Sequence, residues 1–291
     1  MYELVKVTDK SYYIECPAKM GLYLDDDGKV ILIDSGGDKD AGKKVIRHLE
    51  ANEWELKAII NTHSNADHIG GNQLLINRTG ATAYTTVQEG AINEWPQFEP
   101  TILYGGYPSK ALKNKFLMAK ATPYTDIAEM DMPEGMEIFS LPGHYIDMIG
   151  VKTPDDVYFM ADCVSSQNIL DKYHVGFIYD VKAYLETLDK IEDWTGTKFV
   201  PAHAPACDDM KELCRINREK VLEIIEVIKE KCKEPVITEE LIKQMFDHYN
   251  LAMDFNQYVL VGSTLRSYLS YMADEGMLTY EFADNYLKWK S

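Results

Sequence analysis

The sequence has no apolar run long enough to cross a bilayer: its hydrophobic stretches are short and broken by charge, which excludes a membrane helix. At its start it lacks the basic segment followed by an apolar stretch that a secretory signal requires, because "MYELVKVTDKSYYIEC" alternates charged and apolar residues. The expected compartment is therefore the cytoplasm. Cysteine is sparse and odd in number: Cys16, Cys163, Cys207, Cys214 and Cys232 fit neither a disulfide framework nor paired C-x-x-C zinc clips, so reduced thiols are expected. Positive charge is also short, with 30 Lys and Arg against 47 Asp and Glu and a net charge of −17. A surface this acidic repels polyphosphate backbones over most of its area, which disfavours nucleic acid as the main partner and leaves room only for local basic patches. No repeat or low-complexity tract is present, so solenoids and arrays are excluded.

What remains is a folded chain, 46% hydrophobic and 291 residues long, enough for one large core with a smaller appendage. The first third reads as three strands ("SYYIEC", "KMGLYLD", "KVILIDSG"), the last two joined through "DDDGK", whose Asp-Gly pair marks a hairpin turn. Helical spacing of Val45, Ile46 and Leu49 follows in "DAGKKVIRHLEANE", and then "LKAIINTHS" is a buried-strand run. A second round comprises strands in "ATAYTT", "MEIFSLPGH" and "IGVKTPDDVYFMADCV", a helix in "DVKAYLETLDKIEDW" and a final strand in "TKFVPAHAP". Between the rounds, residues 90–130 are rich in Pro, Gly and aromatics, an insertion of the kind that forms a lid. From about residue 208 the pattern turns helical ("DDMKELCRINREKVLEIIEVIKEKCK", "ITEELIKQMFDHYN", "STLRSYLSYMADEGML") and closes on the hairpin-like "LTYEFADNYLKWK". The expected division is 1–207 and 208–291.

The stretch "NTHSNADHIGG" packs His63, Asp67 and His68 into six positions on a loop after a strand, at the start of a helix. Three other strand ends each deliver one more metal-capable group: His144 in "LPGHY", Asp162 in "FMADC" and His203 in "VPAHAP". Any one of these histidines is an ordinary surface or core residue when taken singly. Together they are imidazoles and carboxylates placed at loop ends on one edge of the sheets, the mixture that zinc, iron or manganese prefers.

At these residues the chain resembles the metallo-β-lactamase superfamily. The cluster is similar to that family's H-x-H-x-D-H signature, the later "GH", "AD" and "AH" follow in the family's order, and "LIDSG" around Asp34 is similar to its structural strand motif. The resemblance covers about residues 5 to 205 and implies a four-layer αββα sandwich with the site at one edge, followed here by a small, mostly α C-terminal domain. Carried over by position, it implies that His63 and His144 hold one metal, that Asp67, His68 and His203 hold a second, and that Asp162 bridges them. Asn65 falls where the family has another histidine of the first metal, and a neutral amide oxygen is a poorer donor than imidazole. At least one tightly held ion, zinc first among the candidates, is expected, since the second position keeps two imidazoles and two carboxylates. The first position is expected to be weak or tuned to a harder metal. His174 in "DKYHVGF" is a candidate replacement ligand or an ordinary loop histidine, and Cys163 and Cys207 are expected to be structural.

A bound metal acidifies its water and polarises a scissile carbonyl or phosphoryl oxygen. Asp67 is the candidate to orient that water or take its proton, and Tyr145, beside His144, is a candidate donor to the developing oxyanion, weighed against simple packing. The leading expectation is a metal-dependent hydrolase of a small ester, thioester or lactone, in the manner of the glyoxalase II-like branch. The alternatives are a phosphodiesterase or ribonuclease of the same superfamily and a non-catalytic metal-binding or sensing protein. An antibiotic-degrading role has little support without an export segment. The tail resembles a winged-helix element. With 11 basic and 16 acidic residues, and Arg266 as the one basic side chain of "STLRSYLSYMADEG", it reads as a surface for covering the sheet edge, shaping the substrate mouth or forming a homodimer.

Overall fold

The computed structural model describes residues 2–291. In chain order the elements are β1 (Glu3–Lys6), β2 (Ser11–Glu15), β3 (Met20–Leu24), β4 (Lys29–Ile33), α1 (Lys39–Ala51), β5 (Glu55–Ile60), α2 (Ala66–Ile69), α3 (Asn72–Thr79), β6 (Thr82–Thr85), α4 (Val87–Glu94), α5 (Phe98–Tyr104), β7 (Thr125–Asp126) and β8 (Glu137–Ser140). They continue through β9 (Ile149–Lys152), β10 (Val157–Phe159), α6 (Gln167–Tyr173), α7 (Val181–Ile191), β11 (Lys198–Val200), α8 (Lys211–Lys231), β12 (Val236–Ile237), α9 (Thr238–His248), α10 (Phe255–Asp274), β13 (Thr279–Ala283) and β14 (Tyr286–Lys290). Strand β1, absent from the sequence expectation, is a half-exposed edge strand, which is what alternating charge and apolar residues suit.

Strands β1 to β7 lie in chain order in one sheet, antiparallel as far as β4 and parallel from β4 to β7, and β11-β10-β9-β8 form the second. The period of two sorts the first sheet's side chains between its faces. Tyr23, Ile31, Ile33 and Ile60 point inward against Ile149, Val151, Phe159 and Val200 of the second sheet. Leu22, Val30, Leu32 and Ile59 point outward against Val45 and Leu49 of α1 and Leu75 of α3. On the far face of the second sheet, Phe199 meets Tyr184 and Leu188 of α7. The order of layers is thus helix, sheet, sheet, helix, as expected.

The same outer apolar cluster runs on across residues 207 and 208 into Val221 and Ile225 of α8, Leu241 and Met245 of α9, and Leu265 and Leu269 of α10. The tail's strands form a small sheet in the order β12-β14-β13. Helix α10 begins eight residues before the expected Ser263, because Asp254 caps it by accepting from Gln257 N and because Val259 packs on Leu103, Leu112 and Leu117 of the insertion. That contact clamps the insertion to the tail, beside the edge where the histidine loops gather.

Candidate metal centre

The strands of both sheets end at one edge, and the loops that leave them carry the polar cluster. Strand β5 delivers His63, Asn65, Asp67 and His68, the turn after β8 delivers His144, the end of β10 delivers Asp162 and the end of β11 delivers His203. Gly143 makes the His144 turn possible. Its φ is +119°, and a Cβ there would lie 2.3 Å from the backbone of Tyr184. The loop is then pinned from outside, with Gly143 O accepting from Tyr179 N at 3.0 Å and Asp180 N at 2.9 Å.

Three histidines have their outer nitrogen tied. Nδ1 of His68 donates to Asp34 Oδ2 at 2.8 Å, and Nδ1 of His203 donates to Pro17 O at 2.9 Å. Thr62 Oγ1 gives its own proton to Asp34 Oδ2, so it accepts from His63 Nδ1 at 3.0 Å. Each ring is left with Nε2 facing inward, the arrangement by which outer partners select the tautomer of a metal-binding imidazole. Around Asp162, His68 Nε2 lies 3.1 Å from Oδ1, while His203 Nε2 and His144 Nε2 lie 3.1 and 3.5 Å from Oδ2. Asp67 Oδ2 sits 3.3 Å from His203 Nε2 with its side chain 49% exposed, so it lies toward the open side.

Two groups of donor atoms converge, each within 4.8 Å: His63, His144 and Asp162, and Asp67, His68 and His203. This is the partition that the resemblance implies, with Asp162 at the junction of the two. The chemistry of the set fits a divalent cation. Nε2 of His63, Nε2 of His68 and Oδ1 of Asp162 are buried without a hydrogen-bond partner, a costly condition that a cation relieves. Electrostatics separate the rings. Burial, and then the charge of His68, push the His63 pKa well below the usual imidazole range, and burial lowers His144. Burial opposes protonation of His68 and His203 as well. There the carboxylates outweigh it, raising His68 well above its usual value and His203 to about 10. Asp67 and Asp162, which burial alone would raise, are held below the carboxylate range by His68 and His203.

The remaining sequence candidates are placed apart from these groups. His174 stacks on Tyr249 with ring centroids 4.5 Å apart, outside both donor groups. Cys163 is buried in the apolar cluster outside the second sheet. Tyr145 is buried with its ring 5.7 Å from that of His63 and its hydroxyl unpartnered.

Two site residues escaped the sequence reading. Glu89 on α4 accepts from Ser64 N at 2.9 Å, Ser64 Oγ at 2.5 Å and Asp147 N at 2.8 Å, joining the His63 loop to the His144 loop. Glu99 on α5 accepts from Asn65 Nδ2 at 3.0 Å. Burial raises both carboxyls, Glu99 strongly. Their one signal in the sequence is a pair of acids on the same insertion, and acids in a helical stretch are ordinarily solvated.

Comparison with known proteins fits this geometry. A curated hydroxyacylglutathione hydrolase of Cronobacter sakazakii (strain ATCC BAA-894) is 43% identical over 54 residues, 19% of this chain, and the match spans only 20% of that enzyme's length. Among solved structures, a beta-lactamase domain protein from Burkholderia ambifaria aligns with a TM-score of 0.74 at 15% identity, over 99% of this chain and 94% of that one. A metallo-beta-lactamase family protein from Thermus thermophilus aligns with a TM-score of 0.72 at 17% identity, over 98% and 99%. Both alignments include the C-terminal region and show a shared fold. The family model described as the metallo-beta-lactamase superfamily matches residues 15–203, well over half of the chain and all of the clustered donors. The chain belongs to the metallo-beta-lactamase superfamily.

Proposed function

We propose that this chain hydrolyses a small ester, thioester or lactone at a centre of one or two ions, zinc first and iron or manganese as alternatives. His63, Asn65 and His144 would hold one ion, Asp67, His68 and His203 the other, with Asp162 between them. The observation that carries this reading is the pair of buried, unpartnered Nε2 atoms of His63 and His68, whose outer nitrogens are tied to Thr62 and Asp34. When bound, such a cation acidifies a water and polarises the scissile carbonyl. The chain's own groups do the rest. Asp67, ionised and half open to solvent, orients the attacking water and takes its proton. His203 keeps Asp67 in place, and Asp34 and Pro17 keep His68 and His203 from turning. Tyr145 is the candidate donor to the oxyanion, tested by Tyr145→Phe.

An acylated thiol as substrate is supported by the short match to a hydroxyacylglutathione hydrolase and by the net charge of −17, which suits a charged polymer poorly. The tail's order of helix, strand, two helices and hairpin supports the winged-helix-like reading. Nucleic-acid binding by the tail gains nothing from Arg266, whose Nη2 is 3.0 Å from Glu239 Oε1. The hairpin instead exposes Tyr280, Phe282 and Tyr286, which supports a homodimer through the tail. Five free thiols suit a reducing compartment such as the cytoplasm.

The test is metal analysis of the purified chain followed by ester, thioester, lactone and phosphodiester panels, with chelation as control. Turnover of a thioester or ester that chelation abolishes is the expected result, with loss of about a hundredfold or more in Asp67→Asn. Turnover confined to phosphodiesters overturns the substrate class. Bound metal without turnover, recovered in Asn65→His, makes the chain a binding protein.

A further inference from the structure

The side-chain amide of Asn65 is held between two groups with opposite demands. Its Nδ2 donates to Glu99 Oε1 at 3.0 Å, and its Oδ1 lies 3.2 Å from His144 Nε2. That ring nitrogen is one of the converging donor atoms. An amide can be turned end for end with almost no change of shape, so only its partners decide which end faces the site. Turning Asn65 would break its bond to Glu99 and bring its Oδ1 against the Glu99 oxygen that now accepts from Nδ2. Glu99 is buried, 3% exposed, and lies outside both groups of converging donors. Among the described residues it has no Lys, Arg or His ion-pair partner, so a structural ion pair does not explain it. It arrives on α5, whose Leu103 is locked against Val259 of the tail.

We propose that Glu99 is a positioning residue that makes Asn65 the further donor of the His63 and His144 site, by holding the amide nitrogen outward and the carbonyl oxygen toward the cation. This rests on the metal-centre reading above and deepens it. The site then offers two imidazoles, one carboxylate and one amide oxygen where the family places a third imidazole. An added oxygen donor hardens the site, so its preference moves from zinc toward manganese or magnesium, while Asp67, His68 and His203 keep the zinc-like preference of the other. The two positions become unlike, and the insertion and tail, through α5, set the difference.

The test is titration of the full chain with manganese, magnesium and zinc, read as bound stoichiometry and as affinity by competition with a metal-sensitive dye. The native chain is expected to take two ions, with manganese displacing zinc from the weaker position. Glu99→Gln keeps shape but lets the amide turn, and should weaken the second ion 10- to 100-fold while leaving the first unchanged. In an Asn65→His background the second ion should be zinc, and Glu99→Gln should change its affinity less than twofold. An unchanged second affinity in Glu99→Gln, or an equal loss in both backgrounds, overturns the proposal and makes Glu99 merely structural. If Glu99→Gln does not fold, Asn65→Ala replaces it: the same loss is expected, and an unchanged second affinity overturns the proposal. A native chain that takes one ion only overturns this inference and leaves the metal centre standing. A chain that takes none overturns both.

Discussion

Asp34 accepts from His68 Nδ1 at 2.8 Å, and the same carboxylate also takes Thr62 N and Thr62 Oγ1, each at 2.8 Å. One buried side chain therefore sets the tautomer of His68 directly and that of His63 through Thr62. Its backbone is left-handed, with φ of 61°. Asp34→Ala removes three hydrogen bonds and leaves Thr62 N unpaired in the interior, which should cost about 3 kcal/mol in chemical denaturation. Metal affinity should fall by about 10- to 100-fold in the same variant. Unchanged affinity with lowered stability would separate the two roles.

Glu89 ties the loop after β5 to the loop after β8, using both carboxylate oxygens. Glu89→Gln has one oxygen for two backbone N–H groups, so either Ser64 N or Asp147 N must face an amide NH2. The expected loss is about 1–3 kcal/mol in urea or guanidinium unfolding. Because the two loops carry His63 and His144, the first site should loosen before the second, readable as a lower affinity for the second equivalent of metal.

At Gly143 any side chain meets both a forbidden backbone conformation and the backbone of Tyr184. Gly143→Ala should destabilise the chain by on the order of 3 kcal/mol, because neither neighbour is the end of a flexible side chain. The thermal midpoint should drop, and metal titration should show the His144 position affected most. A native midpoint in this variant would contradict the tight turn.

Acid sensitivity should have a contribution far from the metal centre. Asp155, in the turn between β9 and β10, accepts from Ser11 Oγ at 2.7 Å, from Thr153 Oγ1 at 2.5 Å and from Thr8 Oγ1, linking the second sheet to the first. Burial alone would raise its pKa, but these hydroxyls outweigh it and leave the group below the ordinary value of 3.8. A carboxylate depressed on folding contributes stability above its unfolded pKa and loses it as pH falls through the folded value. The native chain should therefore lose stability below about pH 4 more steeply than Asp155→Asn, measured by denaturant unfolding across pH.

Much of this was legible in the chain alone. Strands and helices with clean periodicity, such as β2 to β4, α1 and α7, read directly because burial on one face imposes a repeat of two or 3.6. The clustered donors read as well, because imidazole and carboxylate at the ends of successive strands have few uses together, and the order of His63, Asp67, His68, His144, Asp162 and His203 is carried by sequence itself. The start of α10 at Phe255 was not legible, because it is set by contact with Leu103 and Leu117 on a distant segment. Nor were the roles of Glu89 and Glu99. An acid in a helical stretch is solvated by default, and nothing local marks the ones that packing turns inward.

The sequence by itself determined the residue types at the centre, their order and the layers that carry them, since these follow from side-chain chemistry and local periodicity. Tertiary structure alone decided which nitrogen of each ring faces inward and which end of the Asn65 amide meets His144. Those choices are made by hydrogen-bond partners, Asp34, Pro17 and Glu99, that lie tens to hundreds of residues away along the chain and come within 3.0 Å only when the sheets, the insertion and the tail have packed.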